Sequence, residues 1–325
     1  SDIWLKPVGS SYCTMDAYVD GSTYEFSANK SYYLGAPDFD RMIIKCMDSS
    51  NLLSALMSGE IDMTVGHANR GNLPIADVEM AATQSNLTLE AGGVTIQYLT
   101  VNNQRYDEYF RQAVNLVVDK EMIANMVYQG YAEVLTQLFP PSHIHYDSSI
   151  APFQRDVEAA KALLAQSSWD STQTLQLMCY TSSSEDQQCA VIIQQNLQEI
   201  GIKTEIRTLE QTTVLDTCRT GDFDLAIIAT GFAAEPAGFK NTVAVGSATN
   251  FSNSTDDTLY NLFVAAGNEL DYDKRDAIYH EIEQYYLKTM PQIFLVNKQS
   301  VFCYNNEVVK ECDLSNAAEI VWRMW

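Results

Sequence analysis

The chain has 325 residues, of which 46% are hydrophobic and 19% charged, and its formal net charge is −22. This length exceeds one ordinary domain and falls short of three, and the apolar fraction is sufficient for a sizeable core. Nucleic acids and anionic membranes bind positively charged surfaces, so the acidic composition argues against both as partners. The sequence has no apolar run of about 18 residues or more, so no membrane span is predicted, and the first residues do not resemble a signal peptide.

The first part of the chain predicts strands, turns and one helix. Residues 24–28 alternate between apolar and polar, as in a strand with one solvated face, and further strands are predicted at 42–47 and 61–65. Between them, Ser49 and Ser50 precede a helical pattern that ends at Gly59.

A strand at 94–102 is followed by two predicted helices. The first covers 106–117, and the second begins after Asp119 and ends at Tyr128, before Gly130. An irregular loop follows from Pro140 to Pro152, and a helix rich in Ala and Leu is predicted at 156–166.

Residues 173–229 predict a β-α-β-α-β unit. Strands at 174–180, 203–207 and 223–229 alternate with two helices, which implies parallel strands joined by right-handed crossovers. The first helix begins with Ser184 and Gln187 in the spacing of a capping box, and its apolar stripe contains Ala190, Ile193, Leu197 and Ile200. The second helix is predicted near 212–220. Two more helices, near 256–266 and 272–288, precede a return to strands at 291–310.

The segment 219–239 is the most informative part of the sequence. An uncharged run at 225–229 is bounded by turn residues, as in a strand buried on both faces. A loop of small residues follows, and it contains one carboxylate, Glu235. Because ligands of open α/β sheets bind where such strands end, this segment is a candidate binding wall.

Seven cysteines lack the paired C-x-x-C spacing of a zinc site, and their odd number leaves at least one unpaired within the chain. Cys303 and Cys312 flank a turn-like sequence, so a hairpin disulfide is one interpretation. The other is that several cysteines are small buried apolar residues.

Two further groups have a chemical and a structural interpretation. His143 and His145 have a spacing that permits metal binding, but they lie in a proline-rich segment and favour an exposed loop. Asp222 and Asp224 form an acid pair, but their position at the start of a strand favours turn hydrogen bonds. The sequence contains no nucleophile-elbow, zincin or phosphate-loop motif, so no catalytic residue and no cofactor are predicted.

Six segments, in the same order along residues 7–310, resemble motifs of the family 5 extracellular solute-binding proteins, the oligopeptide-, dipeptide- and nickel-binding receptors of bacterial ABC importers. Each motif alone is weak, and the order of all six makes the resemblance strong. They read Lys-Ser-Tyr-Tyr-Leu-Gly-Ala-Pro at 30–37, Leu-Met-Ser-Gly-Glu-Ile-Asp at 56–62, Phe-Arg-Gln-Ala-Val at 110–114, Val-Asp-Lys-Glu at 118–121, Ile-Gly-Ile-Lys-Thr-Glu at 200–205 and Gly-Asp-Phe-Asp-Leu at 221–225.

This resemblance implies an α/β fold of the periplasmic-binding-protein type (type II, cluster C), in which two lobes close on a ligand. Residues 1–68 and 291–325 would belong to one lobe, present only in part, and 69–290 would form the other, an α/β ligand-binding domain of the lobe III type that is nearly whole. Family members are longer than this chain, so the resemblance also implies that the chain is incomplete.

The resemblance implies a binding protein without catalysis or cofactor, located outside the cytoplasm at the cell surface or in the periplasm. Its partners would be a short peptide or another small polar organic ligand and the permease subunits of an ABC importer. It would be a monomeric lipoprotein, held at the membrane only by a lipid anchor that this chain lacks. A ligand-sensing module of a larger regulatory protein and a binder of nickel or a metal complex are the alternatives.

The family's ligand contacts fall, by position, on the loop after strand 223–229. These positions are Thr230, Gly231, Phe232, Ala233 and Ala234. Peptide-binding members have an Asp shortly afterwards that pairs with the ligand's amino terminus. Here the loop is about two residues shorter, and Glu235 either replaces that Asp or faces solvent. Tyr98, Asn102 and Asn250 are further candidate ligand contacts, and hinge packing is the alternative role for Tyr98 and Asn102.

Overall fold

The structure is a computed structural model, which describes residues 9–64, 73–141, 143–231 and 236–309 and leaves the side chains of 92–94 undescribed. The chain forms two compact units. Among the described residues, the first unit contains 9–64, 73–93 and 300–309, and the second contains 94–141, 143–231 and 236–299. The domain boundaries that the resemblance implies, at 68/69 and 290/291, stay a prediction.

The described residues form nine strands and nine α-helices, with short 3-10 helices at Ser49–Asn51 and Pro236–Thr242. The strands are β1 Cys13–Val19, β2 Thr23–Ala28, β3 Arg41–Lys45, β4 Leu87–Val101, β5 Ala132–Val134, β6 Thr174–Tyr180, β7 Lys203–Leu209, β8 Leu225–Gly231 and β9 Gln292–Asn305. The helices are α1 Leu52–Ser58, α2 Ile75–Ala82, α3 Glu108–Val117, α4 Lys120–Met122, α5 Val157–Leu164, α6 Ser184–Glu199, α7 Gln211–Thr220, α8 Thr258–Asn268 and α9 Tyr272–Thr289. None of the helices in these ranges is both long and apolar enough to cross a bilayer.

The first unit contains an antiparallel sheet in the order β1-β2-β3. The strands predicted at 24–28 and 42–47 correspond to β2 and β3, and Gly59 ends α1 in the left-handed conformation with φ of 72°. Of the strand predicted at 61–65, the described residues form one antiparallel bridge, between Met63 and Tyr304, flanked by hydrogen bonds from Thr64 N to Cys303 O and from Asn305 N to Asp62 O.

The second unit is built on a six-stranded sheet in the order β5-β9-β4-β8-β6-β7. β6 pairs in parallel with both β7 and β8, which confirms the predicted β-α-β-α-β unit. β4 pairs antiparallel to β8, so that Tyr98 lies opposite Ile228. The predicted strands at the end of the chain are one long strand, β9.

Side-chain caps fix where the helices of the second unit begin. Asp107, Asp156 and Asp271 each accept a backbone hydrogen bond from the first turn of α3, α5 and α9, respectively. The predicted capping residue of α6 is off by one position, because Ser183, not Ser184, accepts the bond from Asp186 N at 3.1 Å. Ser183 and Ser184 are both suitable capping residues, so the sequence alone does not distinguish between them.

The helix predicted after Asp119 changes type along its length. α4 ends at Met122, and Ile123–Val127 continues as a π-helix. In a π-helix each backbone hydrogen bond spans five residues, one more than in an α-helix. The apolar pattern from 119 to 128 therefore predicts a helix correctly, but it does not distinguish the two types.

Alternating residues of the central strands build the core on both faces of the sheet. Tyr98 and Ile228 belong to a large apolar cluster with Phe263, Tyr279 and Tyr286 of α8 and α9. On the other face, Gln97 donates a hydrogen bond to Asp186 of α6 at 2.8 Å. The predicted stripe of α6 is confirmed as buried, since Ala190, Ile193, Leu197 and Ile200 are all at most 7% exposed.

The cysteines of the described residues are free thiols, and Cys179, Cys189, Cys218 and Cys303 are fully buried. Burial raises the pKa of Cys303 to about 11, so this thiol stays protonated at neutral pH. The predicted hairpin disulfide is wrong, because Cys303 is unpaired; Cys312 itself lies outside the described residues. The four buried thiols act as small apolar residues, which was the alternative interpretation.

Lys120 is a charged residue in the interior of the second unit, and only 1% of it is exposed. Its Nζ donates to the carbonyl of Leu135 at 3.1 Å and lies 4.2 Å from the centre of the Phe153 ring. Burial lowers the pKa of Lys120 from 10.5 to about 7. The ammonium group therefore opposes folding, because the folded state binds its proton less tightly than the unfolded state.

We expect Lys120→Met to raise the free energy of unfolding by about 1–3 kcal/mol at pH 6. The folded pKa is depressed, so the penalty is complete below pH 7 and declines between pH 7 and pH 10.5. Urea unfolding at pH 6 and pH 9 measures this, and the gain should be smaller at pH 9.

Lys161→Met is the matched control, because Lys161 is exposed and pairs with Glu158 across one helical turn. Its substitution should change stability by less than about 0.5 kcal/mol. A gain at Lys120 that is no larger than at Lys161, or that grows with pH, would contradict the account of a buried charge.

Candidate ligand-binding site

Strand β8 leaves the core at its C-terminal end. Leu225 to Ile228 are buried, Ala229 and Thr230 are partly exposed, and Gly231 is exposed. Since β6 runs parallel to β8, the C-terminal ends of both strands meet at the same edge of the sheet. This edge is where an α/β sheet holds a ligand.

A cavity of about 280 Å³ lies at this edge, entirely within the second unit. Its deepest residues are buried, and they include Tyr98 of β4, Tyr180 of β6 and Ile228 of β8. Its outer residues include Asn241 and Thr249, which are exposed, so the cavity opens to the surface. The remaining lining residues are Gln211, Leu215, Ala229, Thr230, Gly238, Thr242 and Phe251.

Each wall of the cavity has a defined support. Gln211 and Leu215 are one helical turn apart on α7, which connects β7 to β8. Gly238, Asn241 and Thr242 lie on the 3-10 helix that follows β8. The cavity therefore lies among segments that flank β8 in the sequence, and the two neighbouring strands contribute Tyr98 of β4 and Tyr180 of β6.

Two of the predicted ligand contacts line this cavity and one lies beside it. Thr230 is at the end of β8 and Tyr98 is opposite Ile228. Gly231 is the last residue of β8 and is exposed. Phe232, Ala233, Ala234 and Glu235, also predicted contacts, lie outside the described residues.

Asn102 lies at the other end of the β4–β8 pair. It is four positions from Tyr98, which corresponds to about 13 Å along a strand. Its Nδ2 donates to the carbonyls of Gly221 and Phe223 at 3.0 and 3.1 Å, and its Oδ1 accepts from Gln104 N. Its amide thus joins the start of β8 to the end of β4, and contact with a ligand stays a prediction.

Asn250 organises the loop beside the cavity. Its Nδ2 donates to the carbonyls of Ala244 and Ser254, both at 3.0 Å. Its Oδ1 accepts from Ser252 Oγ and from Ser254 N. The adjacent Phe251 lines the cavity, so Asn250 positions a lining residue, and direct ligand contact stays a prediction.

The lining residues that the structure describes are all uncharged. Hydroxyl and amide groups are supplied by threonine, tyrosine, asparagine and glutamine, and apolar surface by Leu215, Ile228 and Phe251. Burial raises the pKa of Tyr98 and of Tyr180 well above the usual range, so both phenols stay protonated. These groups offer a ligand hydrogen bonds and apolar contact.

The histidine pair is located elsewhere in the second unit. His145 is 2% exposed, and its Nδ1 lies 2.7 Å from Asp276 Oδ1, so the predicted exposed loop is wrong at this residue. The ring of His143 stacks on Phe139 with 4.8 Å between ring centres. Across the described part of the chain, no three His, Cys, Asp or Glu residues are grouped as a metal site requires.

The acid pair has a structural role, but the side-chain bonds found go to residues distant in the sequence and are not the predicted turn hydrogen bonds. Arg105 contacts both carboxylates, at 3.2 Å from Asp222 and 3.1 Å from Asp224. Asp224 also accepts hydrogen bonds from Tyr106 Oη at 2.7 Å and from Gln176 N at 2.9 Å. These bonds fix the start of β8, at the end of the strand far from the cavity.

Several lining residues did not emerge from the sequence. Tyr180 ends a predicted strand parallel to β8, and the shared sheet edge was the signal available for it. Phe251 is the residue next to the predicted Asn250. Gln211, Leu215, Asn241 and Thr249 are ordinary surface or helix residues in the sequence, and only the packing of α7 and the loop against β8 brings them together.

The fold is that of the periplasmic binding proteins, as comparison with solved structures shows. Staphylococcus aureus NikA, in complex with Ni(L-His)2, superposes with a TM-score of 0.84 at 19% identity, over 96% of this chain and 67% of NikA. The oligopeptide-binding protein AppA of Bacillus subtilis, in complex with a nonapeptide, gives 0.83 at 21% identity, over 98% and 68%. At these identities the likeness concerns the fold alone.

The sequence profile of the bacterial extracellular solute-binding proteins, family 5 Middle, matches residues 1–251, and the chain belongs to this family. The probable di/tripeptide-binding protein 5 of Pseudomonas aeruginosa (strain UCBPP-PA14) is 26% identical over 294 residues, which are 86% of this chain and 54% of that protein. The chain spans about half the length of the curated relatives it matches.

Proposed function

We propose that this chain is part of the solute-binding component of an ABC importer, which binds a short peptide or a similar small polar organic ligand and delivers it to the permease. It would act outside the cytoplasm, at the cell surface or in the periplasm. Family membership supports the binding role, and relatives named as di/tripeptide-binding and dipeptide-binding proteins support the peptide class.

The observation that carries this proposal is the cavity at the C-terminal end of β8. It combines the neutral polar groups of Tyr98 and Thr230 with the apolar walls of Leu215 and Phe251. Small-molecule sites have this composition, with apolar walls and a few placed polar groups. A peptide carries both kinds of group, namely amides that form hydrogen bonds and side chains with apolar surface.

The proposed role is binding without chemical conversion. The relatives are named as binding proteins, and the lining side chains supply hydroxyls and amides. A ligand-sensing module of a larger regulatory protein would use the same site, and cellular location distinguishes the two. The importer role requires the protein outside the cytoplasm, whereas a sensor joined to a DNA-binding segment acts inside.

Calorimetry on the full-length natural protein that carries this sequence tests the proposal. The panel contains dialanine, trialanine, a mixed nonapeptide library and the nickel–histidine complex. We expect at least one peptide class to bind with a Kd near or below ~1 μM, which corresponds to about −8 kcal/mol. Binding of nickel–histidine without any peptide would overturn the peptide assignment in favour of the metal-complex alternative.

A further inference from the structure

The 243–257 loop connects the 3-10 helix after β8 to α8 and forms one wall of the cavity. Two of its residues, Thr249 and Phe251, line the cavity. The side chain of Asn250 bonds to other residues of the same loop. These bonds therefore determine the shape of the loop rather than its distance from the opposite wall of the cavity.

The opposite wall is α7, on which Gln211 and Leu215 line the cavity. Arg219 is four positions after Leu215 and therefore lies on the same face of the helix. The exposed fraction of its side chain is 40%, so it is a partly solvated neighbour of the lining residues. One face of α7 thus carries two lining residues and, one turn further on, a cation.

Arg219 joins α7 to the 243–257 loop on both sides of Thr249. Its Nε donates to the carbonyl of Ala248 at 2.9 Å, and its guanidinium carbon lies 5.3 Å from the centre of the Phe251 ring. The face of an aromatic ring attracts a cation placed over it. Arg219 therefore contacts the loop at the residue before Thr249 and at the lining ring two residues after it.

Two further hydrogen bonds define what Arg219 holds. Its Nη1 donates to Asp216 Oδ1 at 2.6 Å, one turn earlier on α7, which orients the guanidinium. Asn253 Nδ2 donates to the carbonyl of Cys218 at 2.7 Å and also joins the loop to α7. Because Asn253 follows the lining residues, it anchors the later part of the loop, whereas Arg219 contacts the part that lines the cavity.

Removal of the guanidinium should affect the lining more than the stability of the fold. The side chain of Asp216 is 71% exposed, so water replaces its bond to Arg219 at little cost. The bond of Asn253 to Cys218 still attaches the loop to α7. A lining segment that moves must be ordered when a ligand binds, and this ordering weakens the binding.

We propose that Arg219 is a positioning residue of the cavity, which holds Thr249 and Phe251 against α7 in the arrangement that receives a ligand group. The inference deepens the proposed function and rests on it for the ligand being a peptide. Arg219 acts through the 243–257 loop, so its effect on binding is an effect on the order of that loop.

Arg219→Met tests this role, because it removes the guanidinium and keeps an apolar stem. Arg207→Met is the matched control: Arg207 is exposed on β7, donates from Nη1 to Gln176 Oε1 at 2.6 Å and loses the same charge. In the full-length natural protein, we expect Arg219→Met to weaken binding of the tightest peptide of the panel at least fivefold and Arg207→Met to leave it within twofold. Equal affinities in the two variants would overturn the proposal.

Amide hydrogen exchange follows the loop itself. The amides of Ser247 and Asn250 are hydrogen-bonded within the loop, so their exchange reports its opening. Without ligand, we expect both to exchange at least fivefold faster in Arg219→Met than in Arg207→Met or the unmodified protein. Saturating peptide should remove this difference, because the bound ligand orders the loop. A difference that saturating peptide leaves unchanged would show a structural role alone and refute the proposal.

The exchange measurement also separates this inference from the proposed function. If no peptide binds the unmodified protein, the proposed function fails, and faster exchange in ligand-free Arg219→Met still supports the hold of Arg219 on the cavity wall. If peptides bind but the exchange of Ser247 and Asn250 is the same in both variants, the proposed function stands and the inference is overturned.

Discussion

Arg111→Ala is expected to lower the free energy of unfolding by about 3–5 kcal/mol, because it leaves several buried carbonyls without a donor. Arg111 is 9% exposed on α3 and donates to Tyr106 O at 2.6 Å, to Met290 O at 3.0 Å and to Thr289 O through two nitrogens at 2.7 and 3.2 Å. Burial lowers the pKa of Arg111 to about 10, so it stays charged at neutral pH. Urea unfolding measures the loss.

The neighbouring Gln112 supplies a matched control. Its Nε2 donates to Lys288 O at 2.6 Å, so it also joins α3 to the end of α9, but the contact is exposed. Water replaces this bond when the side chain is removed, and Gln112→Ala should cost less than about 1 kcal/mol. Similar losses in the two variants would contradict the view that Arg111 holds the end of α9 by burial of its hydrogen bonds.

Thr230→Trp is expected to weaken ligand binding at least about a hundredfold, or about 2.7 kcal/mol. Thr230 lines the cavity and is partly exposed, so the indole can enter the cavity without displacing core residues. An occupied cavity leaves no space for a ligand group. Calorimetry with the tightest ligand of the peptide panel measures the loss, and the unfolding midpoint should change little.

Thr220→Trp makes the same substitution away from the cavity. Thr220 is the last residue of α7 and is exposed. We expect its affinity to stay within threefold of the unmodified protein. If Thr230→Trp binds as tightly as Thr220→Trp, the cavity does not contribute to the site and the proposed location is wrong.

The parts of the fold that sequence reasoning predicted are those with strong local signals. The segment around β6, α6 and β7 combines short apolar runs with turn residues, and the structure has each element close to its predicted position. The errors occur where local signals are ambiguous. Ser183 and Ser184 are both suitable caps, and an apolar helical pattern serves an α-helix and the π-helix Ile123–Val127 equally well.

The candidate site was predictable in part for a related reason. Thr230 lies at the end of a recognisable buried strand, and Tyr98 lies on the strand predicted at 94–102. The other walls depend on packing between distant segments: Thr249 and Gln211 are 38 residues apart in the sequence and meet only because α7 and the loop after β8 pack on one face of the sheet. Composition and periodicity carry no information about such contacts.

The most direct test of a peptide-binding role is native mass spectrometry of the full-length protein purified from its own cells. We predict an additional non-covalent mass that fragmentation identifies as a short peptide, present in the unmodified protein and in Thr220→Trp and lost in Thr230→Trp. A protein that carries no bound ligand and gains none from a peptide mixture, or a ligand retained in full by Thr230→Trp, would contradict the account.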